Sequence, residues 1–118
     1  MEYESNIPIY LQVIEDIKSK LVTGELKTGD KLPSNNELAV LYKINPNTVQ
    51  RIYKELESQG ICYTKRGLGT YIIDDDELIR SVKTDIVCTL IINFLKKMQS
   101  LGFSPDDTIN IINDIKEN

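Results

Sequence analysis

The chain has 118 residues, with 14 Lys and Arg against 18 Asp and Glu, no His, no Trp and two Cys; this is room for one compact domain and an accessory piece, not for a large multidomain enzyme. Without His, the Ser/His/Asp triad, the Cys/His dyad, the HExxH metal site and Cys2His2 zinc binding are impossible. An apolar share of 41% with 27% charged residues is an ordinary globular mixture, able to bury a core without staples.

Cys62 and Cys88 form no CxxC and no disulfide framework, which suits structural thiols in a reducing compartment. The opening MEYESNIPIY has neither a basic n-region nor an apolar h-region, and no stretch reaches 18 consecutive apolar residues, so the expected location is the cytoplasm. The formal charge of −4 argues against nucleic acid until it is divided along the chain. Residues 1–73 hold nine basic and nine acidic residues, whereas residues 74–118 hold five and nine, so all the excess acidity lies in the tail. Residues 43–72 carry five basic residues against only Glu55 and Glu57. A local basic surplus is compatible with a solvated face or with a nucleic-acid footprint, and placement decides between them.

In chain order, Pro8 opens a periodic segment in which Tyr10, Val13, Ile14, Ile17 and Leu21 recur at helical spacing until Gly24, predicting helix 1. Gly24 to Lys31 reads as a turn, with at most a short strand around Lys31-Leu32. Ser34-Asn35-Asn36-Glu37 is an S-x-x-E capping box that starts helix 2, with Leu38 and Leu41 expected inward. Asn45-Pro46 is a cap and a first-turn proline, and Val49, Ile52, Tyr53 and Leu56 make one apolar stripe, so helix 3 runs from there to just before Gly60. Two β-rich runs, Ile61 to Lys65 and Gly69 to Ile73, flank a loop with Gly67 and predict a hairpin with a basic tip. Helix, helix-turn-helix and hairpin in this order describe a winged helix.

After Ile73 the chain changes character. Asp74-Asp75-Asp76-Glu77 reads as an acidic helix N-terminus rather than a metal site, because it lacks EF-hand spacing. Helix 4 carries Leu78, Ile79, Val82, Ile86, Leu90, Ile91, Ile92, Phe94, Leu95, Met98 and Leu101, an arc too wide for one small domain to cover. Gly102 breaks it, Ser104-Pro105-Asp106-Asp107 restarts the chain, and helix 5 shows Thr108, Ile111, Ile112 and Ile115. The expected architecture is mainly α with a small β-hairpin: a winged helix-turn-helix domain over residues 1–73 and a two-helix tail over 74–118. A helical hairpin this apolar is expected to pair with its copy through Ile79, Val82, Ile86, Leu90, Phe94, Ile111, Ile112 and Ile115, the alternative being packing onto its own winged helix.

With the apolar stripe of helix 3 facing the core, Asn47, Gln50, Arg51 and Lys54 are left on the other side as candidate readers of double-stranded DNA. Gln50 suits adenine, Arg51 suits guanine or a phosphate, and Asn47 and Thr48 lie near a helix N-terminus where phosphates bind. Ser34 and Asn36 are placed for backbone phosphates, and Lys65, Arg66 and Gly67 at the wing tip for a minor groove or its phosphates. A dimer would call for an approximate inverted-repeat operator. No cofactor and no metal is expected, and a 45-residue tail does not by itself enclose an effector pocket of about 300 Å³. The competing readings are a winged helix that binds protein, and a small enzyme built on Cys62 or the acidic cluster. No base, metal cage or phosphate loop accompanies either feature, which disfavours the enzyme.

The motifs Pro8-Ile9-Tyr10-x-Gln12-Val13, Gly24-Glu25-Leu26-x-x-Gly29-Asp30-Lys31-Leu32-Pro33-Ser34, Glu37-Leu38-Ala39, Asn45-Pro46-Asn47-Thr48-Val49, Tyr53-x-Glu55-Leu56-Glu57, Gly60-Ile61 and Arg66-Gly67-x-Gly69-Thr70 resemble the GntR family of bacterial transcription regulators. The resemblance covers residues 8–73, and the short two-helix tail resembles the YtrA subfamily. It implies a dimeric repressor, often of nearby transporter genes, with the tail as dimerisation element in place of an effector domain. The chain departs from the pattern at Asn36, where the family usually has Arg, and after Thr48-Val49, where many members carry Arg and this chain has Gln50 followed by Arg51. Asn and Gln supply no charged fork, so these departures imply an altered operator sequence or a weaker phosphate contact.

Overall fold

A computed structural model describes residues 1–118. The elements are α1 (Ile9–Thr23), α2 (Asn35–Tyr42), α3 (Pro46–Ser58), β1 (Cys62–Lys65), β2 (Gly69–Ile72), α4 (Asp76–Ser100) and α5 (Pro105–Glu117). Met1–Val82 form one compact unit and Lys83–Asn118 a second, the division falling within α4.

In the first unit each helix boundary has a local cause. Gly24, at φ 85°, ends α1. At the start of α2 the Glu37 amide donates to Ser34 Oγ at 3.1 Å and the Ser34 amide donates to Glu37 Oε1 at 3.0 Å, so two otherwise orphaned donors are satisfied reciprocally. The Ser34 amide, and after it the Ser34 hydroxyl, hold the Glu37 carboxyl below its ordinary range. Lys43 closes α2 in the left-handed region at φ 57°, the single non-glycine to adopt it, and Asn45 Oδ1 then accepts the Asn47 amide at 2.8 Å with Pro46 in the first turn of α3.

The core collects Val13, Ile14, Ile17 and Leu21 of α1, Leu38, Ala39 and Tyr42 of α2, and Val49, Ile52, Tyr53 and Leu56 of α3, with Leu32, Ile61, Cys62 and Ile72 beneath the hairpin. Val49, Ile52, Leu56 and Ile72 are fully buried, each contributing about 1.5–3 kcal/mol of apolar transfer. Leu41 departs from the expectation: it is 62% exposed. The buried face of α2 is Leu38, Ala39 and Tyr42, and at about 100° per residue Leu41 lies well off its centre. Tyr42 can take the inward position because its polar end is satisfied there: its hydroxyl donates to Asp16 Oδ2 at 2.7 Å. Separately, its main-chain carbonyl accepts from the Tyr3 hydroxyl at 2.6 Å.

The hairpin is antiparallel, with Cys62 opposite Ile72, Tyr63 opposite Tyr71, Thr64 opposite Thr70 and Lys65 opposite Gly69. The strand expected at Lys31-Leu32 is reduced to a single bridge, Lys31 to Tyr71. It is nonetheless bonded into the sheet edge: Leu32 N donates to Thr70 O at 2.8 Å, Ile72 N to Asp30 O at 2.8 Å and Gly29 N to Ile72 O at 3.1 Å. Gly69 suits its position because its φ is +123°, where an L side chain is strained; a Cβ there would also stand 2.8 Å from Lys31 Cε, which the flexible end of that lysine can relieve. Of the acidic run, Asp75 is the cap of α4, accepting the Glu77 amide at 3.0 Å.

In the second unit Gly102 turns the chain, with Phe103 N donating to Met98 O at 3.0 Å. Ser104 and Asp107 form another reciprocal capping box at the start of α5. Thr108 is buried and its hydroxyl donates to Ser104 O at 2.9 Å. Leu90, Ile91, Ile92, Phe94, Leu101, Ile109, Ile112 and Ile115 are exposed. No helix is long and apolar enough to cross a membrane.

Candidate nucleic-acid interface

The buried stripe of α3 leaves its opposite face to solvent, and an open groove of about 750 Å³ lies along it. Asn47, Gln50, Arg51 and Lys54 of α3 line that groove together with Asn35 of α2 and Thr64 and Thr70 of the hairpin. A second recess of about 390 Å³ shares Asn35, Tyr53 and Thr70 with it and extends between Ser34 and the wing residues Leu68 and Gly69. Asn36 lines neither of these, facing instead a shallow apolar recess with Pro33, Val40 and Leu41. Thr48 is half-buried and outside the groove, and Lys65, Arg66 and Gly67 stand at the hairpin tip.

The cations of this surface are free. The three ion pairs of the chain are Lys18–Glu15, Lys20–Asp16 and Arg80–Glu77, so Arg51, Lys54, Lys65 and Arg66 have no carboxylate partner. Two of them rest on aromatic rings. Arg51 Cζ lies 3.7 Å from the centroid of Tyr10, and Lys65 Nζ lies 5.0 Å from Tyr71 and 5.8 Å from Tyr63. Tyr63 and Tyr71 are stacked with centroids 6.0 Å apart, the consequence of their direct pairing across the hairpin. The single acid lining the groove, Glu57, is engaged: its Oε1 accepts the Thr64 amide at 3.0 Å, which ties α3 to β1.

Two contacts of α3 support the groove. Tyr53 donates its hydroxyl to Pro33 O at 2.6 Å, fixing α3 to the residue before the α2 cap, and burial pushes its ionisation upward. Cys62 is buried against the Tyr53 carbonyl, and burial pushes its thiol up to about 12, the environment of an inert structural thiol. Cys88 differs from the structural role expected of it, being exposed on α4.

Sequence reading missed Asn35, Thr64, Thr70, Tyr10 and the tyrosine pair. The alternation of the hairpin places Tyr63 and Tyr71 on one face and was the available signal for them. Nothing in the spacing of α1 distinguished Tyr10 from its core neighbours.

A family model described as bacterial regulatory proteins, gntR family, matches residues 9–72. YhcF of Bacillus subtilis, an uncharacterised HTH-type transcriptional regulator, is 40% identical over 116 residues, covering 98% of this chain and 96% of its own length. The chain belongs to the gntR family of bacterial regulatory proteins. It is thereby a transcriptional regulator and not an enzyme. The HTH-type transcriptional repressor YtrA of Bacillus subtilis is 52% identical over 71 residues, 60% of this chain and 55% of that protein. Among solved structures, a GntR family transcriptional regulator from Listeria monocytogenes superimposes with a TM-score of 0.86 at 38% identity, covering 95% of this chain and 98% of that one. AraR(DBD) in complex with operator ORR3 superimposes with a TM-score of 0.54 at 32% identity, over 61% of this chain and 87% of that one. The gntR-family fold thus accounts for the winged helix, and the match to the Listeria chain extends the likeness through α4 and α5.

Proposed function

We propose that this gntR-family regulator is a dimeric, sequence-specific DNA-binding repressor acting in the cytoplasm on an operon near its own gene, one that could encode a transporter. The observation that carries the reading is the gathering of four unpaired cations, Arg51, Lys54, Lys65 and Arg66, along one groove and its wing. Unpaired cations on a concave surface are free to replace the counterions of a phosphate backbone. The operator complex of AraR and the repressor role of YtrA support the same reading.

In this reading residues 1–73 bind DNA and 74–118 join two copies. Asn47, Gln50 and Arg51 read base edges in the major groove, with Lys54 beside them. Ser34, Asn36 and Thr48 engage the backbone, and Lys65, Arg66 and Gly67 reach the neighbouring minor groove. The residues assigned to the interface are Ile79, half-buried, and Val82, buried, in the first unit and, in the second, the exposed Leu90, Phe94, Ile112 and Ile115 with the half-buried Ile86 and Ile111. Two-fold symmetry then requires an approximate inverted repeat with half-sites about one helical turn apart or somewhat more.

Fluorescence anisotropy with a duplex from immediately upstream of the gene, against a scrambled duplex and at two salt concentrations, tests this. Tight, salt-dependent binding to the upstream duplex alone is expected. Equal weak binding to both duplexes, or none, would refute specific DNA recognition and favour a winged helix that binds protein.

A further inference from the structure

We propose that Tyr10 of α1 is a positioning residue that holds Arg51 ready for DNA; the proposal rests on the DNA-binding reading above. The guanidinium carbon of Arg51 lies 3.7 Å from the Tyr10 ring centroid, which is contact distance for a planar cation lying on a π face. Arg51 has no carboxylate partner to compete for it, and it lines the α3 groove beside Gln50 and Lys54.

The geometry suits recognition because the donors of a guanidinium lie in its plane. A ring covering one face restrains the side chain while leaving the N–H edge open to an acceptor pair, either phosphate oxygens or guanine O6 and N7. An unrestrained Arg would lose its rotamer freedom at binding, whereas a stacked one has lost much of it already. The ring face alone makes the stack, and the helices that carry the two residues pack directly on each other, Val13 of α1 and Val49 of α3 both being fully buried. Arg51 is the one guanidinium of α3, so any planar bidentate contact that this helix makes depends on its orientation.

The test uses the full chain with Tyr10→Leu, Tyr10→Phe, Arg51→Ala and the double variant Tyr10→Leu with Arg51→Ala, each shown to be folded by circular dichroism. Binding is read by anisotropy on the upstream and scrambled duplexes. Tyr10→Leu is expected to weaken upstream binding about two- to fivefold per half-site, the range of an exposed cation–π contact. Tyr10→Phe should restore it to within about twofold, and Tyr10→Leu should add nothing once Arg51 is Ala. A loss equal on both duplexes assigns Arg51 to phosphate, and one confined to the upstream duplex assigns it to a base. In the DNA-free protein, NMR should show the Arg51 side-chain protons shifted upfield by the ring, a shift kept in Tyr10→Phe and lost in Tyr10→Leu. A Tyr10→Leu effect that persists unchanged in the Arg51→Ala background, or normal binding by Tyr10→Leu, would overturn the positioning role alone. A wild-type chain with the upfield shift but no binding to any duplex would overturn the DNA-binding reading and the positioning role with it.

Discussion

Replacing Tyr53 by Phe removes one oxygen from the contact between α3 and the residue before the α2 cap, and its cost can be worked from the structure. The ring stays: Tyr53 is only 7% exposed and its packing against the core is unchanged by the substitution. What goes is the 2.6 Å bond to the Pro33 carbonyl. A net intramolecular hydrogen bond contributes about 0.5–1.5 kcal/mol, and an acceptor left without a partner adds part of a desolvation cost of about 1–3 kcal/mol. Pro33 is half-buried, so water partly replaces the missing donor, and a total near about 1.5 kcal/mol is expected. With a urea m-value of about 1.5–2 kcal/mol/M, the unfolding midpoint should fall by about 0.75–1 M with the slope unchanged. Equilibrium urea unfolding followed by circular dichroism measures this directly. A midpoint within about 0.2 M of wild type would refute the hydrogen bond as an anchor of the helix pair, and a changed slope would mean that the compactness of one state had altered instead.

Four further outcomes are expected. Lys65→Ala combined with Arg66→Ala should weaken binding to every duplex alike and flatten the salt dependence by about one unit for each phosphate no longer neutralised; a change in sequence preference instead would place the wing tip on bases. The Glu37 carboxyl is held low by its bonds to Ser34, so it stabilises the fold fully above the ordinary value of 4.5 and loses that contribution as pH falls through its depressed value. Urea midpoints of wild type and Glu37→Gln between about pH 3 and 6 should therefore converge toward acid, and parallel curves would contradict the cap. Leu90→Glu should sediment as a monomer in analytical ultracentrifugation, and a dimer would exclude that face from the interface. In a Cys88→Ser background, Cys62 should be silent to Ellman's reagent in the native protein and titrate only in denaturant, since burial pushes its thiol up to about 12.

Most of the first unit was legible because its signals are local. Ser34 and Glu37, Asn45 and Pro46, and the stripe of Val49, Ile52, Tyr53 and Leu56 announce helix starts and a buried face within a few residues of one another. The outward positions Asn47, Gln50, Arg51 and Lys54 follow from that stripe by geometry alone. The exposure of Leu41 was not legible because an eight-residue helix gives too few turns to fix its phase, and the polar end of the inward Tyr42 is satisfied by Asp16, 26 positions away. The same distance in sequence hid Tyr10 and Arg51 from each other. Cys88, expected as a structural thiol, lies on a helix whose apolar residues do not single out one face, so its exposure had no periodic signature.

The second strand of the wing is bonded along both edges, to β1 on one side and to the Gly29–Leu32 turn on the other, and that turn runs directly into Pro33 and the cap of α2. A hairpin anchored in this way behaves as a ruler and not as a tether. The amides of Leu32 and Ile72 should exchange their hydrogens only when the whole unit unfolds, while those at Arg66 and Gly67 exchange freely. On the proposed DNA-binding reading, a duplex would have to bring its grooves to the spacing between the hairpin tip and the outer face of α3. Sequences that narrow or bend easily would meet the requirement at least cost, and base pairs that no side chain touches would then contribute to selection through the stiffness of the helix they belong to.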